Sequence, residues 1–133
     1  MKRYFISFAL TLLFVSSIIA CKQQEQTKEA NRMEITVTEL QQKIQSDSNL
    51  VILDVRTPEE LTGPLGHIEG VINIPIQVLE KNLSKLEKYK NQEIYIICRS
   101  GNRSGVATKM LAGKGFKVKN VLGGMKNYNR IKK

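Results

Sequence analysis

The sequence predicts an α/β domain whose mainly parallel sheet is covered by helices on both faces. Two observations predict it. From Met33 onward, strand-like and helix-like segments alternate, the pattern of parallel sheets with helical crossovers. Two short runs, Leu50–Val55 and Glu93–Ile97, are largely apolar instead of alternating, as expected for strands buried on both sides.

The elements follow in order. Met33–Val37 reads as a short alternating strand. Thr36 and Glu39 have capping-box spacing, and Leu40 and Ile44 mark the inner face of the first helix, which stops at the polar run Ser46–Asn49. Leu50–Val55 is a buried strand. Thr57-Pro58-Glu59-Glu60 carries a cap, a proline at the first helical position and acidic residues in the first turn, so a helix starts there. Gly63–His67 is a loop, and Val71–Pro75 a short strand. Ile76, Leu79, Leu83 and Leu86 mark an amphipathic helix or a pair of short ones. Glu93–Ile97 is a strand running into Cys98. Ser104–Lys114 is helical, with Val106, Ala107, Met110 and Leu111 inward and Gly115 as its stop. Phe116–Leu122 is the last strand, Gly123-Gly124 turns the chain, and Met125–Ile131 is a final short helix.

Composition bounds the function. The 133 residues suffice for one domain, and 41% hydrophobic with 25% charged residues is ordinary globular composition. A formal charge of +9 attracts anions. The basic residues are scattered and the aromatics form no stacking cluster, so nucleic acid is not an expected partner. One histidine, two cysteines and no CxxC cannot assemble a usual Cys/His metal site or a disulfide framework. No metal or cofactor is expected.

The front end reads as an address. Lys2 and Arg3 precede an apolar stretch from Tyr4 to Ala20, the layout of a secretory signal peptide. The stretch is short for a membrane span, which needs about 20 apolar residues. It ends Ile18-Ile19-Ala20-Cys21, which resembles the bacterial lipobox, with Cys21 in the lipidated place. Residues 1–20 are therefore expected to be a lipoprotein signal peptide. Residues 21–32 are expected to be the lipidated cysteine and a polar tether, and residues 33–133 the folded domain. Acyl chains would tie the domain to a bacterial membrane in the cell envelope, on the periplasmic or outer side.

The chemistry-bearing segment is Ile94–Ser104, IYIICRSGNRS. A buried strand ends at a cysteine, a polar turn follows and a helix begins. There the turn's N–H groups and the helix N-terminus can point at the sulfur. Gly101 and Asn102 tolerate left-handed backbone angles, and Arg99 and Arg103 add positive charge. Each effect favours a thiolate. A cysteine at a strand end is more often a small buried hydrophobe, but such a residue gains nothing from flanking arginines and a Gly-Asn turn.

DVRTPEE (54–60), GHIEGVINIP (66–75), CRSGNRS (98–104) and GGM (123–125) resemble, in order, the signature segments of the rhodanese family. The resemblance implies a rhodanese-like, five-stranded, mainly parallel sheet with helices on both faces. It also implies double displacement, in which a small anionic sulfur donor such as thiosulfate charges Cys98 as a persulfide. A thiol, a cyanide-like acceptor or a protein then removes the sulfur. By position, Cys98 is the nucleophile and Arg99, Ser100, Gly101, Asn102, Arg103 and Ser104 form the anion-binding loop. Asp54 and Arg56 brace it, and His67 holds a loop. Tyr128 stands where many members have Trp, and residues 61–66 are built differently from many members. A non-catalytic or sulfur-carrier binding module of the envelope is the competing reading. Phosphatases of related fold use a loop one residue longer than Cys98–Arg103, and a thiol–disulfide enzyme would need a resolving cysteine that is absent beside Cys98.

Overall fold

The computed structural model describes residues 33–131, so the expected signal peptide, Cys21 and the tether lie outside the described residues. Five strands form one sheet: β1 (Glu34–Ile35), β2 (Val51–Asp54), β3 (Ile72–Asn73), β4 (Glu93–Ile97) and β5 (Lys117–Val121). Their order is β1-β5-β4-β2-β3, and every neighbouring pair is parallel. The helices are α1 (Val37–Ser46), α2 (Pro58–Thr62), α3 (Ile76–Leu79), α4 (Asn102–Gly113) and α5 (Gly124–Ile131). Two 3₁₀ segments, Glu80–Lys85 and Glu87–Tyr89, follow α3.

The strand period of two assigns the central side chains to two cores. Val51, Leu53, Ile94, Ile96 and Val118 pack under Leu79, Leu86, Ala107 and Leu111, from α3, the 3₁₀ turns and α4. Ile52, Tyr95, Ile97 and Val121 pack under Val37, Leu40, Met125 and Tyr128, from α1 and α5. The sheet is thus covered on both faces, and the apolar runs of β2 and β4 follow from that.

Local differences from the sequence reading have local causes. The capping box forms, with Glu39 N–H donating to Thr36 Oγ1 at 3.2 Å and Thr36 N–H to Glu39 Oε2 at 2.8 Å. It starts α1 at Val37 and ends β1 at Ile35. The segment after Pro75 is neither one helix nor two regular ones. Asn82 Nδ2 donates to Val78 O at 2.8 Å, the carbonyl its own backbone N–H would use in an α-helix, and the chain continues as 3₁₀ turns. Val106 is 63% exposed, not inward. The buried stripe of α4 is Ser104, Ala107, Thr108 and Leu111, which keeps helical spacing by including two hydroxyls. Thr108 Oγ1 is satisfied by Ser104 O at 2.8 Å.

Candidate active site

β4 delivers Cys98 to the C-terminal edge of the sheet, and α4 begins four residues later. The turn closes through Gly101 at φ +100°, a left-handed angle that favours glycine. Asn102, expected to share that conformation, instead enters α4 as its first residue. A second glycine turn presses against the first. Met125 N–H donates to Cys98 O at 2.8 Å and Lys126 N–H to Arg99 O at 3.0 Å. The N-terminal amides of α5 thereby take up the loop's carbonyls, leaving loop N–H groups free to turn toward the sulfur.

Gly101 N–H donates to Cys98 Sγ at 3.1 Å, and Ser104 Oγ lies 3.3 Å from it. Cys98 is only 1% exposed. Burial pushes its thiol pKa up. The Ser104 hydroxyl and the amides of Ser104, Ser100 and Gly101 outweigh that and leave it below the ordinary thiol value. The sulfur sits in a ring of donors at the rim of an apolar core.

The arginine charges act less directly than the sequence suggests. Arg103 Nη1 and Nη2 each donate to a carboxylate oxygen of Glu60, both at 2.6 Å. This fork holds the Glu60 carboxyl down to about 2 and shares the Arg103 charge with a partner. Arg99 is exposed. Asp54 and Arg56 also brace the site differently from the expectation. Arg56 is fully buried and donates from Nε to both Asp54 oxygens at 3.0 Å and from Nη2 to Oδ2 at 2.7 Å. Its remaining donors reach Gly66 O at 2.8 Å and Glu60 O at 3.2 Å. The pair therefore anchors the Glu60–Gly66 wall, and reaches the cysteine loop through Glu60 and Arg103. Asn73 Nδ2 ties β3 to the same place, donating to Asp54 O at 3.0 Å and Arg56 O at 2.8 Å. His67 Nδ1 lies 3.2 Å from Leu61 O and closes the loop of that wall.

A cleft of about 480 Å³ opens beside the loop, lined by Arg56, Glu59, Glu60, Leu65, Arg99 and Lys126 among others. A hollow of about 520 Å³ at the opposite end of the sheet, with Ser48, Asn49, Gly70, Tyr89 and Gln92 in its lining, carries no charged side chain among the described residues. Two residues at the cysteine loop escape a sequence reading. Glu60 looks like a helix-start residue and no more. Asn120, whose Oδ1 lies 2.6 Å from Ser104 Oγ, interrupts the apolar alternation Phe116, Val118, Leu122, and that break is the one signal it leaves.

Sheet order, glycine turns and the amide-ringed sulfur define a parallel α/β domain organised around a cysteine loop. A family model described as a rhodanese-like domain matches residues 36–131, and the chain belongs to that family. It is 45% identical over 96 residues to YrkF of Bacillus subtilis, named for a sulfur-carrier role, covering 71% of this chain and 50% of YrkF. It is 39% identical over 92 residues to YtwF of the same species, named as a sulfurtransferase, covering 69% of this chain and 85% of YtwF. The thiosulfate sulfurtransferase PspE of Escherichia coli is 31% identical over 75 residues, covering 56% of this chain and 70% of PspE. Among solved structures, SSP1007 of Staphylococcus saprophyticus superposes with TM-score 0.65 at 38% identity, covering 71% of this chain and 91% of that one. The chain thus spans half of YrkF and most of YtwF.

Proposed function

We propose that this chain is a sulfurtransferase that moves sulfane sulfur from an anionic donor such as thiosulfate to a thiophilic acceptor through a Cys98 persulfide. One observation carries the reading: Cys98 Sγ accepts the Gly101 N–H at 3.1 Å within a ring of loop donors that lowers its pKa. In the first step the Cys98 thiolate attacks the outer sulfur of thiosulfate. A new S–S bond forms, the sulfur–sulfite bond breaks, and sulfite leaves with its electron pair. The resulting persulfide anion inherits the same donors. In the second step a thiol or cyanide-like nucleophile takes the outer sulfur and the Cys98 thiolate is regenerated. Preorganised donors around a charge that persists through both steps need no reorganisation.

Arg99, Ser100, Gly101, Asn102, Arg103 and Ser104 are the donor-binding loop in this reading, with Asp54 and Arg56 supporting it through Glu60. The cleft cations Arg99 and Lys126 complement an anionic donor, and the name of PspE supports thiosulfate. The compact turn Cys98–Arg103 suits a single sulfur better than a tetrahedral phosphate. The relationship to YrkF supports a second reading, a sulfur-carrier module that hands its sulfur to a partner protein without free turnover. The lipobox-like Ile18–Cys21 supports an envelope location anchored through a lipidated Cys21, beginning with removal of residues 1–20 and followed by the tether 21–32.

Intact-mass measurement after thiosulfate treatment tests the chemistry. Gain of one sulfur atom, absent in Cys98→Ala and lost on adding cyanide, is the expected result. Loading without catalytic release favours the carrier reading, and an unchanged mass removes both. Fatty-acid labelling that disappears in Cys21→Ser is expected from the anchor, and unlabelled protein refutes it.

A further inference from the structure

Ser104 Oγ has one hydrogen and three neighbours within reach: Asn120 Oδ1 at 2.6 Å, Gly101 O at 3.0 Å and Cys98 Sγ at 3.3 Å. A hydroxyl gives one donor and can accept twice, so the three contacts compete. Gly101 O already accepts the Gly105 N–H at 2.9 Å. The deciding partner is Asn120. It is 8% exposed on β5, on the face that packs under α4, in register with Ile96 of β4. An amide there forfeits an apolar contact of the kind Val118 makes, two residues earlier on the same face.

The two ends of a carboxamide are nearly equal in size but opposite in polarity. With Oδ1 toward Ser104, the hydroxyl hydrogen goes to Asn120 and the sulfur meets an oxygen lone pair, which suits a neutral S–H. Turned over, Nδ2 donates to Ser104 Oγ and releases the hydroxyl hydrogen to the sulfur, which suits a thiolate or persulfide anion. In the first orientation Asn120 Nδ2 donates to no described residue, so reversal breaks no hydrogen bond between that nitrogen and a described residue. The other charged groups about the sulfur lie elsewhere. Arg103 of α4 is paired with Glu60 of α2, Arg99 is on the loop, and Asp54, at the end of β2, is paired with Arg56. Asn120 is the uncharged contribution from β5.

We propose that Asn120 is a positioning residue that sets the direction of the Ser104 hydroxyl, presenting nitrogen when Cys98 is anionic and oxygen when it is a neutral thiol. This rests on Cys98 being the sulfur-carrying thiol. It adds a residue that acts through Ser104.

The test reads the thiol itself. The pH dependence of Cys98 alkylation in the full chain, followed on its own peptide by mass spectrometry, gives its pKa in each variant. Asn120→Asp accepts only, so it holds the hydroxyl away and adds charge. Its alkylation at neutral pH should slow about tenfold, a shift of about one unit. Asn120→Leu, of similar volume and unable to bond, should slow it by a smaller factor. In a Ser104→Ala background, Asn120→Leu should have no further effect, since coupled residues are non-additive. Wild-type alkylation in folded Asn120→Leu, or an undiminished effect without Ser104, overturns the proposal. If Asn120→Asp does not fold, the Asn120→Leu and Ser104→Ala cycle decides alone. An unchanged pKa with intact persulfide loading sinks the relay only, whereas failed loading of the wild type sinks the sulfurtransfer reading.

Discussion

Arg56→Met is the substitution whose consequence the structure states most sharply. The guanidinium is fully buried and bonds the Asp54 carboxylate, Gly66 O and Glu60 O. Methionine matches much of its length and supplies no donor. The fully buried Asp54 carboxylate would keep only the Arg56 main-chain N–H at 3.0 Å. Removing one member of a buried pair costs about 3–5 kcal/mol, because the other charge is left without compensation. Against a total of about 5–15 kcal/mol for a domain, that is a large share. Equilibrium urea unfolding followed by circular dichroism should show the midpoint falling at unchanged slope. Replacing the pair together, Asp54→Leu with Arg56→Met, should recover much of the loss, since two apolar groups leave no orphan charge. A loss below about 1 kcal/mol for the single variant would refute this account of the site's wall. So would a double variant no more stable than the single one.

Three other outcomes are expected. Because Glu60 is held near 2 in the fold by Arg103, its contribution is complete above the ordinary carboxylate range and fades as pH falls toward 2. The stability gap between wild type and Glu60→Gln, read by urea unfolding, should therefore be present at neutral pH and close between about pH 4.5 and 2. Gly124→Ala should destabilise by about 2–4 kcal/mol and raise the Cys98 pKa measured by alkylation. Gly124 has φ +54°, and an added Cβ would meet the backbone of Cys98, Arg99 and Ser100. Val106→Lys should leave the stability read by urea unfolding unchanged within about 0.5 kcal/mol, because Val106 faces solvent.

Much of the fold is legible in the chain because its signals are local. An apolar run such as EIYII must be covered on both faces, and a Thr36–Glu39 capping box starts a helix wherever the chain places it. The cysteine turn is local in its donors: Cys98, Gly101 and Ser104 lie within a few residues, so a strand-turn-helix brings the donors to one sulfur, while the α5 amides hold the loop's carbonyls from outside it. Local rules also explain the one misplaced core residue. Taking Val106, Ala107, Met110 and Leu111 as the inner face of α4 puts Val106 inside, whereas helical geometry places Ser104 and Thr108 there, and their hydroxyls are satisfied once buried.

The sequence alone therefore determined the parallel α/β architecture, the strand that ends at Cys98 and the turn that rings its sulfur with amides. The tertiary structure decided which groups stand behind that ring. Glu60 grips Arg103 across 43 positions and Asn120 reaches Ser104 across 16. Such pairings join elements from opposite walls, depend on sheet order and helix placement, and leave no period in the chain. A charge or an amide finds its partner only when the sheet has assembled, because burial makes an unpaired one costly.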